Sequence, residues 1–271
     1  MSEFSRELIG RSGYEREGFA DVYDEHRPSP AAAVVDVLLL LAQAERPRLV
    51  VDLGAGTGLS TRVWAERSDE VVGVDGNPRM IERAQRITRA PGIRFVEGFA
   101  AETGLPAGRA DVVTCSQSFH WMEPEPVLAE AARLLRPGGV FAAYDYDVPP
   151  VIQPDVDEAF SELLAARRAA RERLDLFAGQ RTWPKNRHLE RIQASGRFRI
   201  TRELVCHGWE EADAARVAGM ARSLGGPENL FGDAAPEVSE AYERLVETAK
   251  RILDERTWPM LLCFRIRAGI K

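Results

Sequence analysis

The stretch Val50-Val51-Asp52-Leu53-Gly54-Ala55-Gly56-Thr57-Gly58-Leu59-Ser60-Thr61 constrains the fold of this chain more than any other. Leu49 to Leu53 is apolar and partly β-branched apart from Asp52, the pattern of a parallel strand buried on both faces. Gly54, Gly56 and Gly58 follow at once. Glycines there let the backbone turn tightly and approach a ligand without a Cβ in the way, while the helix that opens next presents unpaired N–H groups. The stretch reads as a loop that cradles a nucleotide.

Spacing and the acid in front narrow the ligand. A dinucleotide fingerprint runs Gly-x-Gly-x-x-Gly, and its third glycine would fall at Leu59; this chain has Asp-x-Gly-x-Gly-x-Gly instead. Asp52, at the strand end, would repel a pyrophosphate and favour an ammonium or sulfonium group. The second apolar run, Val71-Val72-Gly73-Val74-Asp75, ends in an acid 21 residues after Gly54, close to the spacing of a carboxylate that binds ribose hydroxyls. This constellation resembles motif I and the following acidic strand of the class I S-adenosylmethionine-dependent methyltransferases. The resemblance implies cofactor contacts at Asp52, Gly54, Ala55, Gly56, Thr57, Gly58, Leu59, Asp75 and Gly76.

The rest of the chain keeps a βαβ rhythm. Leu59 to Arg67 reads as the first crossover helix, and Asn77-Pro78 caps a second one, Arg79 to Thr88. Ile93 to Gly98 is a third strand running into Phe99-Ala100-Ala101-Glu102. In similar methyltransferases an acid directly after that glycine contacts the adenine. Phe99 stands there instead, so stacking by Phe99 and backbone contacts at Ala100 and Ala101 are expected, with Glu102 a solvated or capping acid. Ala110 to Ser116 is the fourth strand and delivers Gln117-Ser118-Phe119-His120-Trp121-Met122 at its carboxyl end, where ligands of open α/β sheets bind; Ser116 is assigned to the cofactor. A helix, Glu125 to Leu135, and a tight turn, Arg136-Pro137-Gly138-Gly139, lead to the fifth strand, Val140 to Tyr144. The phrase Leu134-Leu135-Arg136-Pro137-Gly138-Gly139 again looks like the same family. Two later runs, Phe198 to Cys206 and Leu261 to Arg267, alternate as half-buried strands and are candidates for the family's antiparallel edge hairpin.

The expected architecture is therefore α/β: a Rossmann-like, seven-stranded, mostly parallel sheet with an antiparallel edge strand, helices on both faces and a helical cap insertion. It is expected as one domain over 1–271, with an N-terminal helical arm or lid (1–46), a cofactor-binding core (47–146), a cap (147–196) and C-terminal elements that complete the sheet (197–271). The cap helix, Val156 to Leu174, carries Arg167, Arg168, Arg171 and Arg173, expected as a solvated face in preference to a clamp for a substrate carboxylate.

The net charge of −6 with no lysine-rich tail gives no indication of a nucleic-acid partner. No apolar run is long enough to span a bilayer, and Met1 to Glu7 lacks a basic region followed by an apolar one, so no membrane partner and a cytoplasmic location are expected. Cys115, Cys206 and Cys263 lack paired spacing or a histidine cluster and are expected as reduced core thiols, with no metal site.

Methyl transfer from a sulfonium is an in-line displacement, so placement and exclusion of water supply much of the catalysis. A carboxylate acceptor needs no base; a hydroxyl or amine would gain about 10²–10⁴-fold from one. His120 is the best base candidate, set against a reading in which it only packs beside Trp121. Tyr14, Tyr23, His120, Trp121 and Tyr144 are the substrate candidates; Asp145 and Tyr146 are weaker, and the aromatics of the N-terminal arm fit core packing as well as a lid. Ser118-Phe119-His120-Trp121 looks like the small-molecule branch that includes trans-aconitate methyltransferases. The Asn/Asp-Pro-Pro-aromatic tetrad of DNA amino-methyltransferases is absent. The expected function is transfer of a methyl group from S-adenosylmethionine to an O, N or C nucleophile of a small metabolite, with a carboxylate acceptor suggested by Arg167, Arg171 and Lys185, in a monomer or homodimer. The alternatives are a non-catalytic, cofactor-binding regulator and an NAD-dependent oxidoreductase.

Overall fold

The structure is a computed structural model and describes residues 19–175, 182–224 and 234–271. The described residues contain α1 (Phe19–His26), α2 (Ala32–Ala42), β1 (Leu49–Leu53), α3 (Leu59–Arg62), β2 (Glu70–Asp75), α4 (Pro78–Ile87), β3 (Ile93–Glu97), β4 (Ala110–Ser116), α5 (Pro124–Leu134), β5 (Leu135–Tyr146), α6 (Pro154–Arg173), α7 (His188–Ala194), β6 (Ile200–Ala212), α8 (Ala214–Ser223), α9 (Pro236–Leu253) and β7 (Trp258–Ile270).

One seven-stranded sheet runs in the order β3-β2-β1-β4-β5-β7-β6. β1 pairs in parallel with β2 and β4, β2 with β3, and β4 with β5. β7 lies antiparallel to β5, with Val140 opposite Ile270 and Tyr146 opposite Phe264. This is the expected mixed, mostly parallel sheet. Strand order reverses between β1 and β4, which places their carboxyl ends at a topological switch point. The continuous apolar runs exist because both faces of the central strands are covered: Val51, Leu53, Val72, Val74, Val113 and Phe141 are all essentially solvent-free. Val127, Leu128 and Ala131 of α5 pack into the same core. Each such aliphatic or aromatic side chain stabilises the fold by about 1.5–3 kcal/mol on burial.

The chain divides into two compact units. One comprises residues 29–146, 182–208 and 263–271 and holds β1 to β5 with most of β6 and β7. The other comprises residues 1–28, 147–181 and 209–262; in it α6, α8 and α9 share a core of Val156, Phe160, Leu163, Val217, Val238 and Leu245. The boundary at residue 181 runs through the segment 147–196 expected as one cap.

Local departures have local causes. The expected helix from Leu59 to Arg67 is a single α turn, Leu59–Arg62, because Trp64, Ala65 and Arg67 donate to carbonyls three residues back rather than four. Asn77 caps α4 as its sequence indicates: its side chain accepts the Arg79 N–H at 3.0 Å, and Pro78 occupies the first helical position. The Arg136-Gly139 turn is part of β5; Gly138, at φ +77°, donates its N–H to the Lys271 carbonyl, which carries pairing through the bend. On α6, Arg167 is buried rather than solvated and donates to the Leu224 carbonyl at 2.8 Å. Burial, with the neighbouring Arg171 and Arg27 charges, pulls its pKa down to about 9. Cys115 is buried, Cys206 and Cys263 are partly so, and all three are free thiols. Among the described residues no helix is long and apolar enough to cross a membrane.

Candidate functional site

The glycine loop is built by hydrogen bonds between β1 and β2. The Val74 carbonyl accepts the N–H groups of Gly54 at 2.7 Å and Ala55 at 3.1 Å, which turns the chain as β1 ends. Gly54, Gly56 and Gly58 have φ of +72°, +56° and +85°, a region that L side chains rarely enter. Their surroundings differ. A Cβ on Gly54 would lie 2.6 Å from Ser118 Cβ and Met122 Cε, and one on Gly58 would lie 2.6 Å from Phe95 Cζ. A Cβ on Gly56 would meet nothing within 4 Å. Gly54 and Gly58 are thus required by the protein's own packing, whereas the space over Gly56 stays open to a ligand.

Asp52 departs from its expected role. The carboxylate is fully buried: Oδ2 accepts the hydroxyls of Ser60 at 2.6 Å and Thr61 at 2.7 Å, and Oδ1 accepts that of Thr114 at 2.9 Å. Burial raises its pKa, and the three hydroxyls oppose that rise. Asp52 therefore ties β1, α3 and β4 together beneath the loop, and does not present its charge to a cationic ligand. Asp75, at the end of β2, is only half-buried; its Oδ2 accepts the Gly56 N–H at 2.8 Å and its Oδ1 the Asn77 N–H at 2.8 Å. Each oxygen keeps further lone-pair capacity. Desolvation raises the pKa of this carboxyl, against the two backbone N–H groups.

Of the loop residues, Gly54, Gly56 and Leu59 are half-buried, while Ala55, Thr57 and Gly58 are buried. Gly76, Phe99 and Ala100 are half-buried and Ala101 exposed, all just past β2 or β3. Phe99 accepts the Glu102 N–H at 3.0 Å in a short closed turn. These positions and Ser116 lie together at the carboxyl ends of the adjacent strands β3, β2, β1 and β4.

After β4 comes a one-turn 3₁₀ helix, Phe119–Trp121. Phe119 anchors it, buried against Phe141 at 5.5 Å and His188 at 4.8 Å between ring centroids. His120 and Trp121 are left half-buried, their rings 4.9 Å apart, and the His120 carbonyl accepts the Trp183 N–H at 2.9 Å. Tyr144 is not a substrate surface: it is 2% exposed, because β5 is a central strand covered on both faces. Its phenol bonds with the Ser116 side chain, and burial pushes its pKa well up. Asp145 and Tyr146 are buried too. Tyr23 belongs to the other compact unit, half-buried, with the Arg27 guanidinium 5.2 Å from its ring centroid. Tyr14 lies outside the described residues.

The sequence singled out neither Gln117 nor His188, and offered Lys185 only as one of the cations that suggest a carboxylate acceptor. Lys185 Nζ lies 2.7 Å from both Gln117 Oε1 and Asp145 Oδ1. His188 is fully buried, and its Nδ1 is 3.1 Å from Arg191 Nη1. A guanidinium only donates, so Nδ1 accepts and the ring is neutral. No group of three or more His, Cys, Asp or Glu side chains is placed to hold a metal among the described residues.

A doubly wound sheet with a glycine loop after β1 and an acid after β2 defines the nucleotide-binding class of α/β proteins. Residues 51–143 match the family model described as a methyltransferase domain. It is similar to an uncharacterized methyltransferase of Mycobacterium tuberculosis, 40% identical over 119 residues that cover 43% of this chain and 46% of the relative. A trans-aconitate 2-methyltransferase of Methylobacterium radiotolerans is 36% identical over 123 residues, 44% of this chain and 45% of the relative. The chain spans about half the length of the curated relatives it matches. Among solved structures, a protein of Anaeromyxobacter dehalogenans assigned as a type II methyltransferase superposes with a TM-score of 0.58 at 25% identity, covering 90% of this chain and 97% of that one.

Proposed function

We propose that the protein transfers a methyl group from S-adenosylmethionine to a small-molecule acceptor. The observation that carries this reading is the pair formed by Gly56 and Asp75: a carboxylate with spare lone pairs, fixed at 2.8 Å from the N–H of a glycine whose Cβ side is open. That arrangement suits a nucleoside whose ribose hydroxyls donate to Asp75. Backbone groups of Gly54 to Gly58 would hold the amino-acid end of the cofactor, and Phe99 to Ala101 would line the adenine. When bound, the cofactor supplies an electrophilic methyl group on a sulfonium.

The protein's own contribution is alignment and exclusion of water. His120, half-buried just past β4, would take a proton from a hydroxyl or amine acceptor. A carboxylate acceptor would need no such step, and two observations support that class. Lys185 brings an ammonium to the ends of β4 and β5, and the similar proteins include enzymes named for trans-aconitate.

Two measurements test the proposal in sequence. Calorimetry with S-adenosylhomocysteine should give saturable, one-site binding; failure to bind rejects the reading. Radiolabelled S-adenosylmethionine with trans-aconitate and metabolite extracts should then label a small molecule. Cofactor binding without transfer to any acceptor would replace the enzyme by a cofactor-binding regulator.

A further inference from the structure

Gln117 is the first residue past β4 and has φ of +51°, a left-handed conformation that a non-glycine residue keeps only where its surroundings impose it. Its N–H donates to the Tyr144 carbonyl at 2.9 Å, which holds the backbone against β5. The side chain is fixed separately. Oε1 accepts a hydrogen bond from Lys185 Nζ at 2.7 Å, and an ammonium only donates, so the amide can take only one of its two orientations. Lys185 in turn ion-pairs with buried Asp145 Oδ1 at 2.7 Å, Asp145 Oδ2 with Arg267 at 3.3 Å, and Arg267 Nε with Glu203 Oε2 at 2.9 Å. The orientation of one amide is thereby referred through four charged side chains to β5, β7 and β6.

The opposite end of that amide is shielded from bulk water and meets no acceptor atom of the protein: Gln117 Nε2 is buried without a hydrogen-bond partner. A buried donor left unmatched is unfavourable, so a network spent on orienting it calls for an acceptor from elsewhere. The neighbouring residue shows where. Ser118 donates to the Leu53 carbonyl at 2.8 Å and packs on Gly54, which puts Gln117 beside the cofactor loop and three residues from His120.

We infer that Gln117 binds the methyl acceptor, its Nε2–H₂ donating to an acceptor oxygen of a carboxylate or carbonyl, and that Lys185 is a positioning residue which fixes the amide in that sense. The inference rests on the methyl-transfer reading. A carboxylate is favoured over a neutral carbonyl because a charged oxygen accepts the stronger hydrogen bond from the amide, and an ammonium group is disfavoured because it offers Nε2 no acceptor.

The test follows the Gln117 side-chain amide in ¹⁵N-labelled protein saturated with S-adenosylhomocysteine, the signal being assigned by its loss in Gln117→Leu or, should that variant not fold, Gln117→Glu. Acetate at pH 7 is the carboxylate probe and methylammonium the control. A saturable downfield shift is expected with acetate and none with methylammonium. Lys185→Met should abolish the acetate response and give a second amide signal; Lys185→Arg should restore both to the wild-type pattern. An amide blind to acetate, or equally responsive to methylammonium, overturns the inference. So does a tenfold or greater loss of S-adenosylhomocysteine affinity in Gln117→Leu, which would assign the amide to the cofactor. Absence of S-adenosylhomocysteine binding by the wild-type protein would instead remove the methyl-transfer reading on which the inference stands.

Discussion

The Thr114 hydroxyl of β4 donates to Asp52 Oδ1 of β1 at 2.9 Å, across 62 residues of sequence. With Ser60 and Thr61 on the other oxygen, Asp52 is the single acceptor for three hydroxyls. Asp52→Ala strands these donors inside the core, and the cost of unmatched buried groups, reduced where a hydroxyl can rotate to a carbonyl, is about 2–4 kcal/mol. Urea unfolding should show that loss, and Asp52→Asn, which keeps one acceptor oxygen, should lose less. A change below about 0.5 kcal/mol in Asp52→Ala, the range of ordinary surface substitutions, would reject the supporting role.

The two glycines at the open and the packed side of the loop should separate. Gly56→Ala meets no protein atom within 4 Å and incurs only the strain of φ +56°, about 1–2 kcal/mol. It should fold and bind S-adenosylhomocysteine at least tenfold more weakly. Gly58→Ala adds a 2.6 Å approach to Phe95 Cζ to its strain and should be the less stable variant, partly rescued by Phe95→Leu. Thermal unfolding and calorimetry on the three proteins check this; equal stability of the two alanine variants would contradict it.

Asp75→Ala removes a charged acceptor from the proposed ribose contact. Hydrogen bonds to charged groups contribute about 1.5–3 kcal/mol, so affinity for S-adenosylhomocysteine should fall about 10- to 150-fold. Asp75→Asn should fall by a smaller factor because one oxygen can still accept. Calorimetry at pH 7 reads both, and wild-type affinity in Asp75→Ala would remove the contact.

The sheet was legible because its determinants are local. The apolar runs, the alternating glycines and the Asn77-Pro78 cap each act over a few residues, and they appear in the expected order. The sense of a side chain on a strand covered on both faces was not legible. Asp52 and Tyr144 sit in runs with no polar alternation, so the sequence could not say that one acid turns under the loop and that the tyrosine enters the core. Gln117 and Lys185 are 68 residues apart, and only the folded chain brings the ammonium to the amide. The substrate candidates suffer most for the same reason, since they depend on contacts distant in sequence.

His188 gives the protein a pH dependence whose sign is fixed. Burial, then the charges of Arg191, Arg267 and Lys185, lower its pKa from 6.5 to about 3 in the folded state. The unfolded chain therefore binds this proton between pH 6.5 and about 3 while the folded one does not, and stability falls as pH falls through that window. The loss approaches about 1.4 kcal/mol per pH unit below the unfolded pKa. His188→Gln keeps an acceptor for Arg191 and cannot titrate. The difference in unfolding free energy between wild type and His188→Gln should shift against the wild type as pH goes from 7 to 4.5, by about 2 kcal/mol, which urea titrations at the two pH values measure. A difference independent of pH would mean that His188 takes up its proton in the folded protein as it does in the unfolded chain, contrary to its burial and to the Arg191 hydrogen bond that makes Nδ1 an acceptor.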